Sequence, residues 1–209
     1  IKESNLVTAF TDNNYDLAYI ALHGGYGENG TFQGLLDMLG KSYTGSGAME
    51  SAVTMDKAYT KAIAKSVGIK TPRTYTCAEE VEEFPVVVKP SRDGSSVGIY
   101  FCNSKAEVEE AVKALEGRKP LIEEMIQGEE LTVGVLNGEG LGVLRIIPKN
   151  KFYDYESKYA TGGSIHEYPA KIDKKAYDKA LENAVKIHNV IGLKGISRSD
   201  FMLKDGEVY

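Results

Sequence analysis

FPVVVKPSRDGSSVG, residues 84–98, is the stretch on which the fold turns. Pro85 to Lys89 reads as a short buried strand, three valines between prolines. A lysine ending an apolar strand is costly unless its ammonium meets an anion. The loop after it, Ser91 to Gly98, offers Gly94, the hydroxyls of Ser95 and Ser96 and several backbone N–H groups. Such a loop can close over phosphates. It is not a Walker loop, because the Gly-Lys-Ser/Thr ending is absent. The competing reading is a solvated hairpin with Lys89 snorkelling to water. Ile99 to Cys102 supplies the next strand.

Toward the N-terminus, Ser51 to Val67 reads as one helix, with Gly68 at its end and Pro72 beyond. Before it, Leu17 to Leu22 reads as a buried strand, followed by the glycine turn of ALHGGYGENG at 21–30, a helix from Thr31 to Leu39 and a short strand near Ser42. Gly25, Gly27 and Gly30 spell the dinucleotide fingerprint literally. Glu28 sits in the middle of the turn, where its charge would oppose a pyrophosphate, and Glu50 follows a turn rather than a strand. A small-substrate site fits better, since His23 and Glu28 would both lie at a strand's carboxyl end.

Toward the C-terminus, Ser104 and Glu107 form a capping box, and Val108, Ala111, Val112 and Leu115 form one helical stripe stopped by Gly117. Leu121 to Ile126 and Leu131 to Val135 are strands, and Asn137-Gly138 turns into a third, Leu141 to Ile147. Residues 150–164 are polar and aromatic without periodicity, a long loop of the functional kind. Asp173 caps a helix running to Ile191, with Tyr177, Ala180, Leu181, Ala184, Ile187 and Ile191 inward and Gly192 as its stop. Gly195 to Leu203 is a strand that places Arg198 and Asp200 on one face, either paired with each other or holding a metal and an anion. Gly206 to Tyr209 reads as a turn into a strand that is cut off, and residue 1 is Ile, so the chain reads as a fragment.

The chain has 209 residues, 42% hydrophobic and 26% charged, the composition of a soluble globular protein. Its net charge is −5 with both signs interspersed, which excludes the basic footprint of a nucleic-acid binder. No apolar run approaches the ~18 residues of a membrane helix. Cys77 and Cys102 lack ligand-like spacing and read as reduced thiols in a cytoplasmic protein.

Taken together and in order, ALHGGYGENGTFQGLLDMLGKSYTGSG (21–47), MDKAYTK (55–61), FPVVVKPSRDGSSVG (84–98), LIEEMIQGEELTV (121–133), FYDYESKY (152–159) and GISRSDF (195–201) resemble the D-alanine–D-alanine ligases of the ATP-grasp superfamily. The resemblance runs from about residue 15 to the last residue. It implies an α/β (α+β) ATP-grasp fold. Two subdomains, 51–126 and 127–209, would grip the nucleotide beside the remainder of an N-terminal doubly wound domain, 1–50. It implies ATP and Mg²⁺ (or Mn²⁺), D-alanine as substrate, a D-alanyl phosphate intermediate, a homodimer, and a place in peptidoglycan precursor synthesis.

Residue by residue, the resemblance implies that Lys57 and Lys89 contact phosphates. Glu123 and the backbone of Glu124 and Ile126 form the adenine hinge, Glu130 holds the ribose, and Phe152 and Met202 line the adenine. Ser95 works with Tyr159 over the first D-alanine, and Lys158 reaches the phosphates from a mobile lid, residues 150–164. Arg198 steadies the tetrahedral oxyanion, Asp200 is a Mg²⁺ carboxylate, and His23 is on the substrate side. The family's first strand with its glutamate, and its closing Glu-x-Asn pair and Pro-Gly-Met segment, have no counterpart here. The expectation is therefore an active parent ligase and an inactive 209-residue piece. The competing functions are another ATP-grasp carboxylate–amine ligase and a non-catalytic nucleotide-binding module.

Overall fold

The computed structural model describes residues 6–11, 14–93, 98–148 and 164–209. Its first part is small. Helix α1 (Leu6–Thr11) precedes β1 (Leu17–Ala18), which pairs in parallel with β2 (Ser42–Tyr43). Between them lie α2 (Gly25–Glu28) and α3 (Thr31–Met38), the latter burying Phe32 and Leu36 against Ala18. The strand expected over Leu17 to Leu22 is thus cut to two residues. Its partner is equally short, and beyond it the Ile20 N–H donates to the Thr44 hydroxyl instead of to a ladder carbonyl. Gly30 caps α3 at φ 87°, and a Cβ there would lie 2.2 Å from the Ala48 carbonyl oxygen, so the turn closes onto the next helix only with glycine.

The single helix expected over Ser51 to Val67 is two: α4 (Ala48–Met55) and α5 (Lys57–Ser66). Asp56 breaks it. Its backbone is extended, and its carboxylate caps α5 by accepting from the Ala58 N–H.

A four-stranded antiparallel sheet follows, in spatial order β3 (Thr74–Tyr75), β6 (Pro120–Glu124), β4 (Val86–Pro90) and β5 (Tyr100–Cys102). Val86 and Val88 point into a core closed by Val108 and Ala111 of α6 (Lys105–Ala114) and by Leu115, which caps its C-terminus. Ser104 caps α6 as expected. Glu107 reaches back one residue further than the capping box predicts, accepting from the Asn103 N–H at 2.8 Å. By the alternation of a strand, Val87, Lys89 and Glu123 take the face opposite that core.

Residues 125–128 lead into a five-stranded antiparallel sheet, ordered β11 (Glu207–Val208), β10 (Ile196–Lys204), β7 (Glu129–Leu136), β8 (Glu139–Pro148) and β9 (Ser164–Glu167). A Cβ on Gly128 would sit 2.1 Å from the Leu203 carbonyl oxygen, so only glycine lets the connection pass that close to β10. Asn137 and Gly138, at φ 48° and 84°, make the expected tight hairpin turn. One face of this sheet (Leu131, Val133, Val135, Val143, Phe201 and Leu203) is covered by α7 (Lys174–Ile191). Helix α7 carries the predicted inward stripe, with Asp173 and Gly192 as its caps, and also buries Asn183 and His188. The His188 ring nitrogen Nδ1 lies 2.8 Å from the Ser197 hydroxyl. Ala64 and Ile69 pack on Ile187, which ties α5 to α7 and so one sheet's layer to the other's. Cys77 and Cys102 are free thiols.

Candidate functional site

Both sheets have a helix on one face and bear the candidate residues on the other. On the four-stranded sheet, Glu123 stands opposite Val87 on the neighbouring strand and diagonal to Lys89. Its carboxylate is buried and held by two ammonium groups, Lys89 on Oε1 and Lys61 on Oε2. Burial alone would raise the Glu123 pKa, but Lys89 and Lys61 outweigh it and hold the carboxyl below the usual range. Lys89 is therefore neither unpaired nor snorkelling.

Lys57 lies at the first turn of α5. Its ammonium donates to the carbonyl oxygens of Asp93 at 2.5 Å and Pro90 at 3.2 Å, bracing the chain where it enters the glycine loop. Burial, and then the nearby Lys89, push the Lys57 pKa down. Two ammonium groups thus hold one carboxylate, and a third, that of Lys57, lies close by at the root of the loop. A site with surplus positive charge and partial burial suits a polyanion.

Asp56 is 2% exposed and organises that root. It accepts from the Ser91 hydroxyl at 2.5 Å and from Arg92 Nε at 2.8 Å, with Lys119 Nζ at 3.8 Å. Burial raises its pKa, but the Ser91 and Arg92 hydrogen bonds, the Ala58 N–H and Lys119 outweigh it and bring it down to about 2. An unfolded aspartate titrates near ~3.9, so this group stabilises the fold fully above that pH, and the contribution is lost as pH falls through about 2. The expected outcome is an acid arm between about pH 4 and pH 2 that is steeper in the wild type than in Asp56→Asn, read from urea midpoints. Identical slopes would remove Asp56 from the acid response.

A cavity of about 620 Å³ opens beside this root, lined by Gly24, Gly25, Asn29, Met49, Asp56, Tyr59, Arg92 and Asp93 among others. It joins the N-terminal glycine turn to the base of the second loop. His23 Nδ1 lies 3.3 Å from Glu28 Oε1 nearby in sequence, both side chains substantially exposed. They sit on the turn and α2, not at the end of a long strand as expected.

On the five-stranded sheet, Glu130 and Met202 are direct cross-strand partners, so both project from the face away from α7. Thr132 and Asp200 are the next pair on that face, and the Thr132 hydroxyl donates to Asp200 at 2.7 Å. Arg198 and Asp200 pair with each other, Nε and Nη2 each 3.0 Å from a carboxylate oxygen. Of the two readings open from sequence, internal pairing is the one adopted here. An exposed pair of this kind is worth only about 0–1 kcal/mol, so a ligand can part it cheaply. The Glu124 N–H is used by the Arg73 carbonyl, and Ile126 is buried in the connection between the sheets. Ser95, Phe152, Lys158, Tyr159 and almost all of the lid expected at 150–164 lie outside the described residues. Among the described residues no group of three or more His, Cys, Asp or Glu side chains converges on one point. Asp200 can therefore supply only a minority of the six oxygens that Mg²⁺ requires. No helix of the described residues is long and apolar enough to cross a membrane.

Two antiparallel sheets, each with a helix on one face and joined by a connection through Gly128, form the ATP-grasp fold, and solved structures with that fold match this chain. The crystal structure of D-alanine–D-alanine ligase from Bacillus anthracis matches with a TM-score of 0.83 at 31% identity, over 100% of this chain and 71% of that one. The same enzyme complexed with ATP gives 0.81 at 27% identity, over 100% and 70%. Residues 2–46 match the family described as D-ala D-ala ligase N-terminus, and residues 55–209 the D-ala D-ala ligase C-terminus. The D-alanine–D-alanine ligase of Fusobacterium nucleatum is 62% identical over 210 residues, spanning 100% of this chain and 72% of the relative. The chain belongs to the D-alanine–D-alanine ligase family.

Sequence reading passed over two residues. Lys61 has no reading of its own from sequence, although its i,i+4 spacing from Lys57 puts both on one face. Asp56 was read only as part of a helix, although Asp before an apolar periodic run is a helix-start signal.

Proposed function

We propose that this chain binds ATP and takes part in joining two D-alanines through a D-alanyl phosphate, the ligation that supplies peptidoglycan precursors in the cytoplasm. The observation that carries the reading is Lys89 on buried Glu123, with the Lys57 ammonium close by, at the root of the glycine loop. Lys57 and Lys89 bind phosphate oxygens. Glu123 has acceptor sites left after its two lysines, since a carboxylate offers about four; one takes the adenine amine, beside the backbone of Glu124 and Ile126. Glu130 accepts from the ribose hydroxyls while its neighbour Met202 covers the base, with Phe152 opposite.

Arg198, released from Asp200, donates to the oxyanion as the amine of the second D-alanine attacks the acyl phosphate. Donors aimed at developing charge are commonly the largest catalytic contribution. Ser95 and Tyr159 cover the first D-alanine, Lys158 closes on the phosphates, and His23 stands on the substrate side. Asp200 would be one ligand of a Mg²⁺ (or Mn²⁺) bound with the triphosphate, and the ion would supply charge neutralisation for phosphoryl transfer. The division into units at about residues 50 and 126, and a homodimeric state, are proposed on the family resemblance.

The test is phosphate release by the intact protein with ATP and a panel of amino and hydroxy acids. Release that depends on D-alanine is expected. Release with another acid alone would point to a different carboxylate–amine ligase, and none with any acid would leave a nucleotide-binding module.

A further inference from the structure

Lys61 has no role in the reading above, yet it is the better buried of the two cations on Glu123. Its side chain is 13% exposed against 23% for Lys89, and that of Glu123 is 7%. The two lysines reach the carboxylate from different supports. Lys61 comes from the middle of α5, one turn beyond Lys57, and donates to Oε2 at 2.6 Å. Lys89 comes from the strand that runs directly into the glycine loop, and takes Oε1.

An ammonium has three donors, but it cannot stay centred on a buried carboxylate and also centre itself on a phosphate. For Lys89 to serve a triphosphate it must give up part or all of its hold on Glu123. A buried carboxylate deprived of its partner is strongly destabilising. The exchange is cheap only if a second cation stays behind. Lys61 meets that need: it has its own oxygen of Glu123, and it stands on a helix and not on the strand that enters the loop. Burial pushes its pKa down, and contact with Glu123 works against that push.

We propose that Lys61 is a positioning residue, the standing counter-ion that keeps Glu123 neutralised while Lys89 passes from the carboxylate to the nucleotide's phosphates. The proposal rests on the reading of Lys89 as a phosphate ligand. It separates two tasks that the sequence alone merges: Lys89 is exchanged, and Lys61 is retained.

The experiment measures dissociation constants for a non-hydrolysable ATP analogue and for adenosine, which has no phosphates. It uses the intact protein as wild type, Lys61→Met, Lys61→Arg, Glu123→Gln, the Lys61→Met/Glu123→Gln double variant and Lys89→Met. Lys61→Met is expected to weaken the analogue about ten- to a hundredfold, as for a charged group stripped of its partner. Adenosine affinity should stay level, and Lys61→Arg should recover most of the loss. In the Glu123→Gln background, Lys61→Met should add nothing, because no carboxylate is left to neutralise.

An unchanged analogue affinity in Lys61→Met, an equal loss for analogue and adenosine, or a loss undiminished in the Glu123→Gln background would each overturn the inference and leave the phosphate role of Lys89 standing. Unchanged analogue affinity in Lys89→Met would overturn that role and the inference with it. Should Lys61→Met fail to fold, the comparison of Glu123→Gln with the double variant still decides, since both lack the buried carboxylate charge. Equal analogue affinities support the inference; a further loss sinks it.

Discussion

Replacing Lys89 with alanine is expected to weaken ATP binding and slow transfer by about 1.5–3 kcal/mol, the range for a lost charged hydrogen bond. The loss has two sources. The phosphates lose a donor that the strand delivers to the mouth of the loop, and Glu123 loses one of two cations that hold it ionised in a buried place. Lys61 still neutralises Glu123, so the fold should survive with a modest drop in melting temperature while nucleotide affinity falls. Titration calorimetry with an ATP analogue, beside a melting curve, separates the two. Unchanged affinity and rate would remove Lys89 from the phosphate site.

That lysine was legible because a strand ending in a charge is an anomaly, and anomalies of local pattern survive without tertiary information. The strands expected over Leu131 to Val135 and Gly195 to Leu203 were legible for the same reason: one face must be apolar, so Arg198 and Asp200 fall on the other, while Glu130 and Met202 came only with the family resemblance. Partnership was not legible. Whether Arg198 and Asp200 turn to each other or to a ligand depends on what else is near, and the sequence left both open. Lys61 looks like any surface lysine until Glu123, 62 residues away, is brought against it. The strand over Leu17 to Leu22 failed because its length is set by a two-residue partner and not by its own apolar run.

Asp56 shows the same limit in a helix, and it carries the second large effect. Periodicity runs on through residues 51–67, so nothing apolar marks a break. The break comes from a carboxylate that does several jobs at once. It caps α5 and anchors Ser91, Arg92 and Lys119 at the start of the glycine loop. Asp56→Ala is expected to cost about 2–4 kcal/mol: a lost cap contributes ~1, and the remainder comes from a Ser91 O–H that loses its acceptor and two cations left without their anion. The partial exposure of Arg92 and Lys119 keeps the figure below that of a fully buried network. Asp56→Asn retains a capping oxygen and should cost clearly less. Urea unfolding reads both, as a lower midpoint at unchanged slope. ATP affinity should fall as well, because the Lys57 ammonium braces the same stretch by donating to the carbonyls of Pro90 and Asp93. Equal stability of the alanine variant and the wild type would mean that the break between α4 and α5 is set elsewhere. A stability loss with intact nucleotide affinity would uncouple the helix start from the first residues of the loop, which Asp56 anchors.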